Sequence, residues 1–302
     1  MTGITRRRLS AAGLGLVASR ARAVSKFRHP LGAELYTVRN LLPNAADQTL
    51  KSIAAIGYRE VELDRVSLLR LAPLLKQYGL KAVACHIETP LITGNWKPWL
   101  ARAAQQKTSY LAESATLKQA IDDVKKLGVE YVVMAYLLPQ ERGDSEYYKR
   151  LADQMNQAGS QARAAGLKFC YHNHAFEFRG EHGQRPIDIL LERLDRKSVG
   201  LELDVFWVSV AGNDPVELLK QNAGRVPLVH LKDKAKGAPV VYEEGKVTAQ
   251  TFREVGAGSL DFAAILKAAA AAGTKHYFVE QDQTPGDPVA SLKQSYQYLR
   301  TL

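Results

Sequence analysis

Beyond residue 30 the chain repeats one unit: an apolar run of strand length, a longer amphipathic segment, then a glycine. Gly57, Gly79, Gly128, Gly166, Gly224 and Gly273 close helical patterns such as DQTLKSIAAIG, LKQAIDDVKKLG and LDFAAILKAAAAAG. A glycine suits that position because a helix often ends in a left-handed residue, which costs a Cβ-bearing side chain energy. The strand candidates are LGAELYTV from Leu31, REVELD from Arg59, LKAVACHI from Leu80 and YVVMAYL from Tyr131. They continue with LKFCYHN from Leu167, VGLELDVFWV from Val199, VPLVHLK from Val226 and KHYFVEQD from Lys275. Strands alternating with helices predict a parallel sheet. Eight units in about 270 residues favour a closed (β/α)8 TIM barrel over an open sheet. The longer insertions, around Glu88–Thr108, Phe178–Arg185 and Lys234–Val255, follow strands 3, 5 and 7. They fall on the C-terminal face, where barrel enzymes keep their sites.

No linker or low-complexity stretch divides the repeat, so residues 24–302 are expected to form a single α/β domain. A composition 46% hydrophobic and 24% charged supplies an ordinary core. The net charge of +10 is partly local, because Arg6, Arg7, Arg8, Arg20 and Arg22 lie in the first 23 residues with no acid among them. The remaining positive charge is scattered, without basic runs interleaved with aromatics, and this argues against nucleic acid as a partner. The N-terminus itself reads as an export signal. Thr5-Arg6-Arg7-Arg8-Leu9 follows the twin-arginine pattern, Ala11 to Ala18 is weakly apolar, and Ala21-Arg22-Ala23 is a small-x-small cleavage site. The expectation is a signal peptide over residues 1–23 and the twin-arginine export machinery as partner. The mature protein would be periplasmic, starting near Val24, with no membrane attachment after cleavage. Cys85 and Cys170 lie in strands that are not neighbours in this order, which predicts buried free thiols.

The polar residues are concentrated where the late strands end. Tyr171-His172-Asn173-His174 with Glu177, Leu203-Asp204, His230-Leu231-Lys232-Asp233 and Glu280-Gln281-Asp282 each follow an apolar run. Two carboxylates about 5 Å apart repel by roughly 3 kcal/mol at an effective dielectric near 20. A divalent cation turns that penalty into binding. Side chains alternate along a strand, so His172 and His174 share a face, as do Glu202 and Asp204, His230 and Lys232, and Glu280 and Asp282. Asp204, His230 and Glu280 make a mixed oxygen and nitrogen set of the kind that holds Mn, Co, Zn or Mg with open positions.

Together YHNHAFEF, LELDVFWV, VHLKD, VGAGSLDF and FVEQD resemble the xylose isomerase-like sugar phosphate isomerase/epimerase superfamily. The opening LGAELYTVR and the IGYREVEL that follows the first helix are similar too, and the likeness covers essentially the whole chain after residue 30. It implies a TIM barrel with one divalent ion, manganese first and Co, Mg or Zn as alternatives. Asp204, His230 and Glu280 match the ligands of strands 6, 7 and 8. Strand 5 departs from the Glu-Asn-His of many members, carrying His172-Asn173-His174 with Glu177 three residues on. Either Glu177 swings back as the fourth ligand, which is the expectation carried forward, or a histidine takes that place. Epimerases of this group use two metal-bound glutamates, so a missing glutamate on strand 5 weighs against symmetrical epimerisation. The His-x-His pattern also resembles that of inosose dehydratase.

The chemistry these residues suggest is proton abstraction beside a carbonyl of a sugar or keto-sugar, giving an isomerase, an epimerase or a lyase. Glu280 or Glu177 serves as base. His174 and Lys232 protonate an oxygen, although Lys232 fits equally as a structural partner of Asp204 or Glu280. Four further residues are candidates for binding a small carbohydrate: His86, His172, Trp207 and Glu62. Plain core packing for His86 and Trp207, and a salt bridge for Glu62, are the alternatives. Gly256-Ala257-Gly258 follows a loop rather than a strand, so it is expected to shape a turn and not to bind a dinucleotide. The competing functions are an abasic-site endonuclease-like barrel, which normally needs several metals, and a non-catalytic sugar-binding barrel.

Overall fold

A computed structural model of the chain describes Met1 and residues 27–106 and 115–302. The expected signal peptide and its cleavage site lie outside the described residues, Met1 apart. Eight parallel strands close into a barrel in chain order. They are Leu31–Glu34, Glu60–Asp64, Lys81–Ile87, Tyr131–Met134, Lys168–His172, Val199–Asp204, Leu228–Leu231 and His276–Val279. The eighth pairs with the first through Leu31 and Tyr277, Gly32 and Phe278, and Ala33 and Val279. This is the (β/α)8 barrel the repeat called for, with helices between the strands.

The six helix-ending glycines all adopt positive φ, from 65° at Gly79 to 124° at Gly57. Gly57 also has no room for a side chain, since a Cβ there would lie 2.4 Å from the Tyr296 hydroxyl. At the opposite ends the helices are capped by side chains. Asp144 accepts the Tyr147 N–H at 2.9 Å to start Ser145–Ala164, and Asp261 accepts the Ala264 N–H at 3.0 Å to start Phe262–Ala272. Such a cap contributes about 1 kcal/mol.

Three strands are shorter than their apolar runs. Residues 35–38 form a 3-10 turn and Val205–Val210 a helix, and the fourth strand stops at Met134. In the first two cases an acidic strand-end residue ends the strand. Glu34 accepts the Tyr36 N–H and Asp204 accepts the Trp207 N–H, so each carboxylate starts the next turn.

Most of the core lies between the strands and the helices. Inside the barrel a separate plug is formed by Val83, Ala84, Tyr131, Val133, Cys170, Leu228 and Phe278. Gly32 makes room for it, because a Cβ there would sit 2.4 Å from the Phe278 ring. The plug divides the interior into two polar ends. Both cysteines are buried and free; Cys170 belongs to the plug and Cys85 packs outward in the main core. No helix among the described residues is long and apolar enough to cross a membrane.

The segment after the seventh strand makes a two-stranded antiparallel pair, Asp233–Lys234 with Phe252–Arg253. Asp233 anchors it. Its carboxylate accepts N–H groups from Lys234, Gly256, Gly258, Ser259 and Leu260 at 2.8–3.1 Å. The glycines do shape a turn: a Cβ on Gly258 would lie 2.3 Å from Asp233 Oδ1.

Candidate metal centre

The capping of Asp204 explains how one carboxylate serves two purposes. Its Oδ1 accepts the Trp207 N–H at 2.9 Å, while its own N–H donates to Asn173 Oδ1 at 3.0 Å and ties the fifth and sixth strands together. Oδ2 is left facing the barrel mouth, fully buried and without an aligned hydrogen bond.

Around that oxygen the late strands converge. His172 Nε2 and His230 Nδ1 each lie 3.9 Å from Asp204 Oδ2. Glu280 Oε2 is 2.8 Å from His230 Nδ1. Lys232 Nζ stands 3.0 Å from Asp204 Oδ2, 2.7 Å from Glu280 Oε2 and 3.1 Å from Asp282 Oδ2. Two groups of donors among the described residues are close enough to hold a cation, each with its atoms within 4.8 Å of one another. One is His172, Asp204 and His230; the other is Glu62, His86, Glu202 and His230.

The structure does not bring Glu177 to this centre. Its Oε1 accepts the Tyr171 hydroxyl at 2.7 Å and its Oε2 accepts the His174 N–H at 3.0 Å. Tyr171 points away from the barrel axis, into the main core, so Glu177 is held behind the fifth strand. Both oxygens are engaged there, and it is His172, not Glu177, that stands with Asp204 and His230. Burial pushes the Glu177 carboxyl up to about 8.

The other expected residues sit at the mouth. His174 packs against Tyr136 and Trp207, with ring centroids 4.8 and 5.2 Å away. Burial, then His172 and Lys232, hold its pKa well below the ordinary value, so the ring is neutral. Trp207 is almost wholly buried and forms a wall beneath Lys232, whose Nζ is 5.5 Å from the ring centroid. His86 is partly open, at 19% side-chain exposure. Burial opposes the charge on Lys232, but Asp204, Asp282 and Glu280 outweigh it and raise its pKa well above the ordinary value. Burial likewise pushes Glu280 up, and Lys232 and His230 more than offset that, holding it well below the usual carboxylate range. The pair is therefore an ammonium beside a carboxylate.

The xylose isomerase-like TIM barrel model matches residues 50–302. The chain belongs to that family. Inosose dehydratase of Geobacillus thermodenitrificans is 32% identical over 164 residues, covering 51% of this chain and 54% of the relative. The chain thus spans about half the length of the curated relatives it matches at that level. A sugar phosphate isomerase/epimerase from Parabacteroides distasonis superposes with a TM-score of 0.70 at 21% identity, covering 94% of this chain and 97% of that one. The zinc-bound IolI protein superposes at 0.63 with 20% identity, covering 89% and 95%. Both are likenesses of fold.

Within this family barrel three acids to which the sequence analysis gave no role reach the mouth: Glu34, Glu202 and Asp282. Two had a visible signal. Glu202 and Asp282 lie two residues from Asp204 and Glu280 and share their faces. Glu34 had none, because the strand was expected to run on past it.

Proposed function

We propose that this protein is a metal-dependent carbohydrate enzyme that removes a proton beside a carbonyl, and that its reaction is elimination of water. One observation carries the reading: of the glutamates at the mouth among the described residues, Glu280 is the one with an ammonium beside it, Lys232 at 2.7 Å. Epimerisation of a carbon needs a base on each face of the substrate, and Glu177, the glutamate expected beside the fifth strand, is engaged by Tyr171 and His174. One base and one acid suit an elimination. The curated relatives named inosose dehydratase support the same choice.

The donors fit a divalent ion. His172, Asp204, His230 and Glu280 offer two imidazoles and two carboxylates, with Asp204 Oδ2 buried and lacking an aligned hydrogen bond. Such an ion supplies Lewis-acid polarisation of the substrate carbonyl, which acidifies the neighbouring C–H. Manganese, cobalt, magnesium and zinc all suit this donor set. Glu280 takes the proton from the carbon next to the carbonyl. The electrons of that C–H bond form the C=C bond, the C–O bond to the next hydroxyl breaks, and Lys232 protonates the departing oxygen to give water. Glu280 then returns the proton to Lys232 across 2.7 Å, which restores the pair. Neutral His174, carried on the mouth face between Tyr136 and Trp207, hydrogen-bonds a substrate hydroxyl.

The test is to incubate the metal-loaded protein with keto-inositols and keto-sugars and follow product mass. A product lighter by one water is expected. An epimer or isomer of unchanged mass would overturn elimination, and no turnover of any keto-polyol would overturn the enzyme reading. Glu280→Gln is expected to abolish exchange of the substrate proton into heavy water.

We also propose that the protein is exported in folded form, on the strength of Arg6-Arg7-Arg8 and the Ala21-Arg22-Ala23 site. N-terminal sequencing of periplasmic protein is expected to begin near Val24. An intact Met1 would overturn it.

A further inference from the structure

Below the upper donors, deeper in the barrel, a second set of buried groups converges. Glu62 comes from the second strand, His86 from the third and Glu202 from the sixth. The side chains of Glu62 and Glu202 are fully buried. His86 Nε2 lies 3.3 Å from Glu62 Oε1 and 3.4 Å from Glu202 Oε2. Glu62 Oε1, His86 Nε2 and both oxygens of Glu202 lack an aligned hydrogen-bond partner. The other Glu62 oxygen is taken by His230 Nε2 at 2.5 Å. His172 Nδ1 is 3.2 Å from Glu202 Oε2, again without alignment.

Two physical points bear on this arrangement. Glu202 Oε2 has nitrogens of His172, His86 and His230 at 3.2–3.4 Å, none aligned, and its Oε1 is buried without a partner, which is costly unless a further charge satisfies it. In addition, donors about 2.1 Å from a tetrahedral ion lie about 3.4 Å from one another, which is the spacing of His86 Nε2 from each of the two carboxylates. The charge balance points the same way. Among the described residues the mouth gathers Glu34, Glu62, Glu202, Asp204, Glu280 and Asp282, and these six carboxylates outnumber the Lys232 ammonium together with the His86 and His230 rings even when both rings are protonated.

We propose that Glu62, His86 and Glu202 hold a second divalent transition-metal ion, beneath the one assigned to His172, Asp204, His230 and Glu280. Two carboxylates and one imidazole form a set that such ions favour, with positions left open. His230 stands between the two sites, with Nδ1 toward the upper donors and Nε2–H donated to Glu62, which fixes the ring for both. The proposal rests on the upper assignment only for the count of two.

Equilibrium dialysis of the full chain against manganese(II), followed by elemental analysis, reads the count directly. About two equivalents per chain are expected, with an electron paramagnetic resonance spectrum broadened by coupling between the ions. Glu202→Gln is expected to retain about one equivalent with an uncoupled six-line spectrum, and Asp204→Asn to retain the other. Circular dichroism melts check that each variant is folded, and Glu62→Gln replaces Glu202→Gln if that variant is not. A single equivalent at saturation, lost in Asp204→Asn and kept in Glu202→Gln, overturns the second site and leaves the proposed function standing. A single equivalent with the opposite behaviour overturns the upper assignment and the count of two together. No bound manganese at all overturns both.

Discussion

The two ends of the barrel interior are built from the same residue types and differ in how charge is balanced. At the N-terminal end Glu60 meets His276 Nδ1 at 2.9 Å, His276 packs edge-on against Tyr131, and Lys168 donates to the Tyr131 hydroxyl at 3.1 Å. Each group there has one partner. Across the plug of Val83, Val133, Leu228 and Phe278, the C-terminal end collects six carboxylates and four histidines around a single lysine among the described residues. Glu60 and Glu62 make the contrast sharp, because they sit two residues apart on one strand and face the same interior. A fold selected for stability alone has no use for the second arrangement. Unpartnered buried carboxylates lower stability, and their concentration at one end marks where the protein gives up stability for chemistry.

The largest expected effect comes from removing the upper donor. Asp204→Asn keeps an oxygen for the Trp207 N–H, so the helix start survives, but it loses the charge. Turnover is expected to fall on the order of 10³-fold with loss of the upper ion. Steady-state kinetics and elemental analysis check this together; turnover within a few-fold of wild type would break the link between the crowded end and catalysis. Asp233 tests the other side of the comparison, since it is a mouth-side carboxylate whose partners are all backbone N–H groups. Asp233→Ala is expected to cost about 2–3 kcal/mol in denaturant unfolding, because five part-buried backbone donors lose their shared acceptor. Its bound metal should be unchanged at temperatures where it remains folded. Metal loss without loss of stability would move Asp233 into the site.

How far the sequence revealed all this depends on how local the deciding contacts are. The eight strands and the helix-ending glycines were legible because apolar period and left-handed turns are written within a few residues. Strand ends were not, since Phe206-Trp207-Val208 reads as strand until Asp204 turns its carboxylate onto the Trp207 N–H. Side-chain alternation placed His230, Asp204 and Glu280 together correctly. It had no means to foresee Glu177, whose fate is set by the hydroxyl of Tyr171 on the outer face of the fifth strand. The lower donors were visible only singly: Glu62 and His86 come from the paired second and third strands and Glu202 from the sixth, and only barrel closure brings Glu202 within 3.4 Å of His86.

Glu177 gives the next largest effect, and it reads out as pH dependence. A free glutamate ionises near 4.5, and burial raises this one to about 8. Between those values the unfolded chain has released a proton that the folded chain keeps. Its contribution is therefore fully present below pH 4.5 and is lost as pH rises toward 8, at up to about 1.4 kcal/mol per pH unit. In Glu177→Gln the amide can donate to the Tyr171 oxygen and accept from the His174 N–H, so the hydrogen bonds persist without the titration. Urea unfolding at several pH values should show the variant gaining on wild type as pH rises, with bound metal unchanged. A flat difference accompanied by loss of metal would mean Glu177 is ionised in the folded protein and returns it to the centre as a ligand.

The smallest effect is expected from Glu60→Gln, and its value lies in comparison with Glu62→Gln. The amide oxygen at position 60 can still meet the His276 ring, the pair sits at the barrel's far end, and the plug separates it from the mouth. A loss of about 1 kcal/mol or less is expected, with turnover and bound metal unchanged. The same change at Glu62 removes one oxygen facing His86 and disturbs the one held by His230, so metal affinity is expected to fall about 10- to 100-fold. Parallel titrations of the two variants with manganese measure the difference between them. Equal losses would show that the plug does not insulate the ends, and that the charge imbalance belongs to the whole interior and not to its mouth.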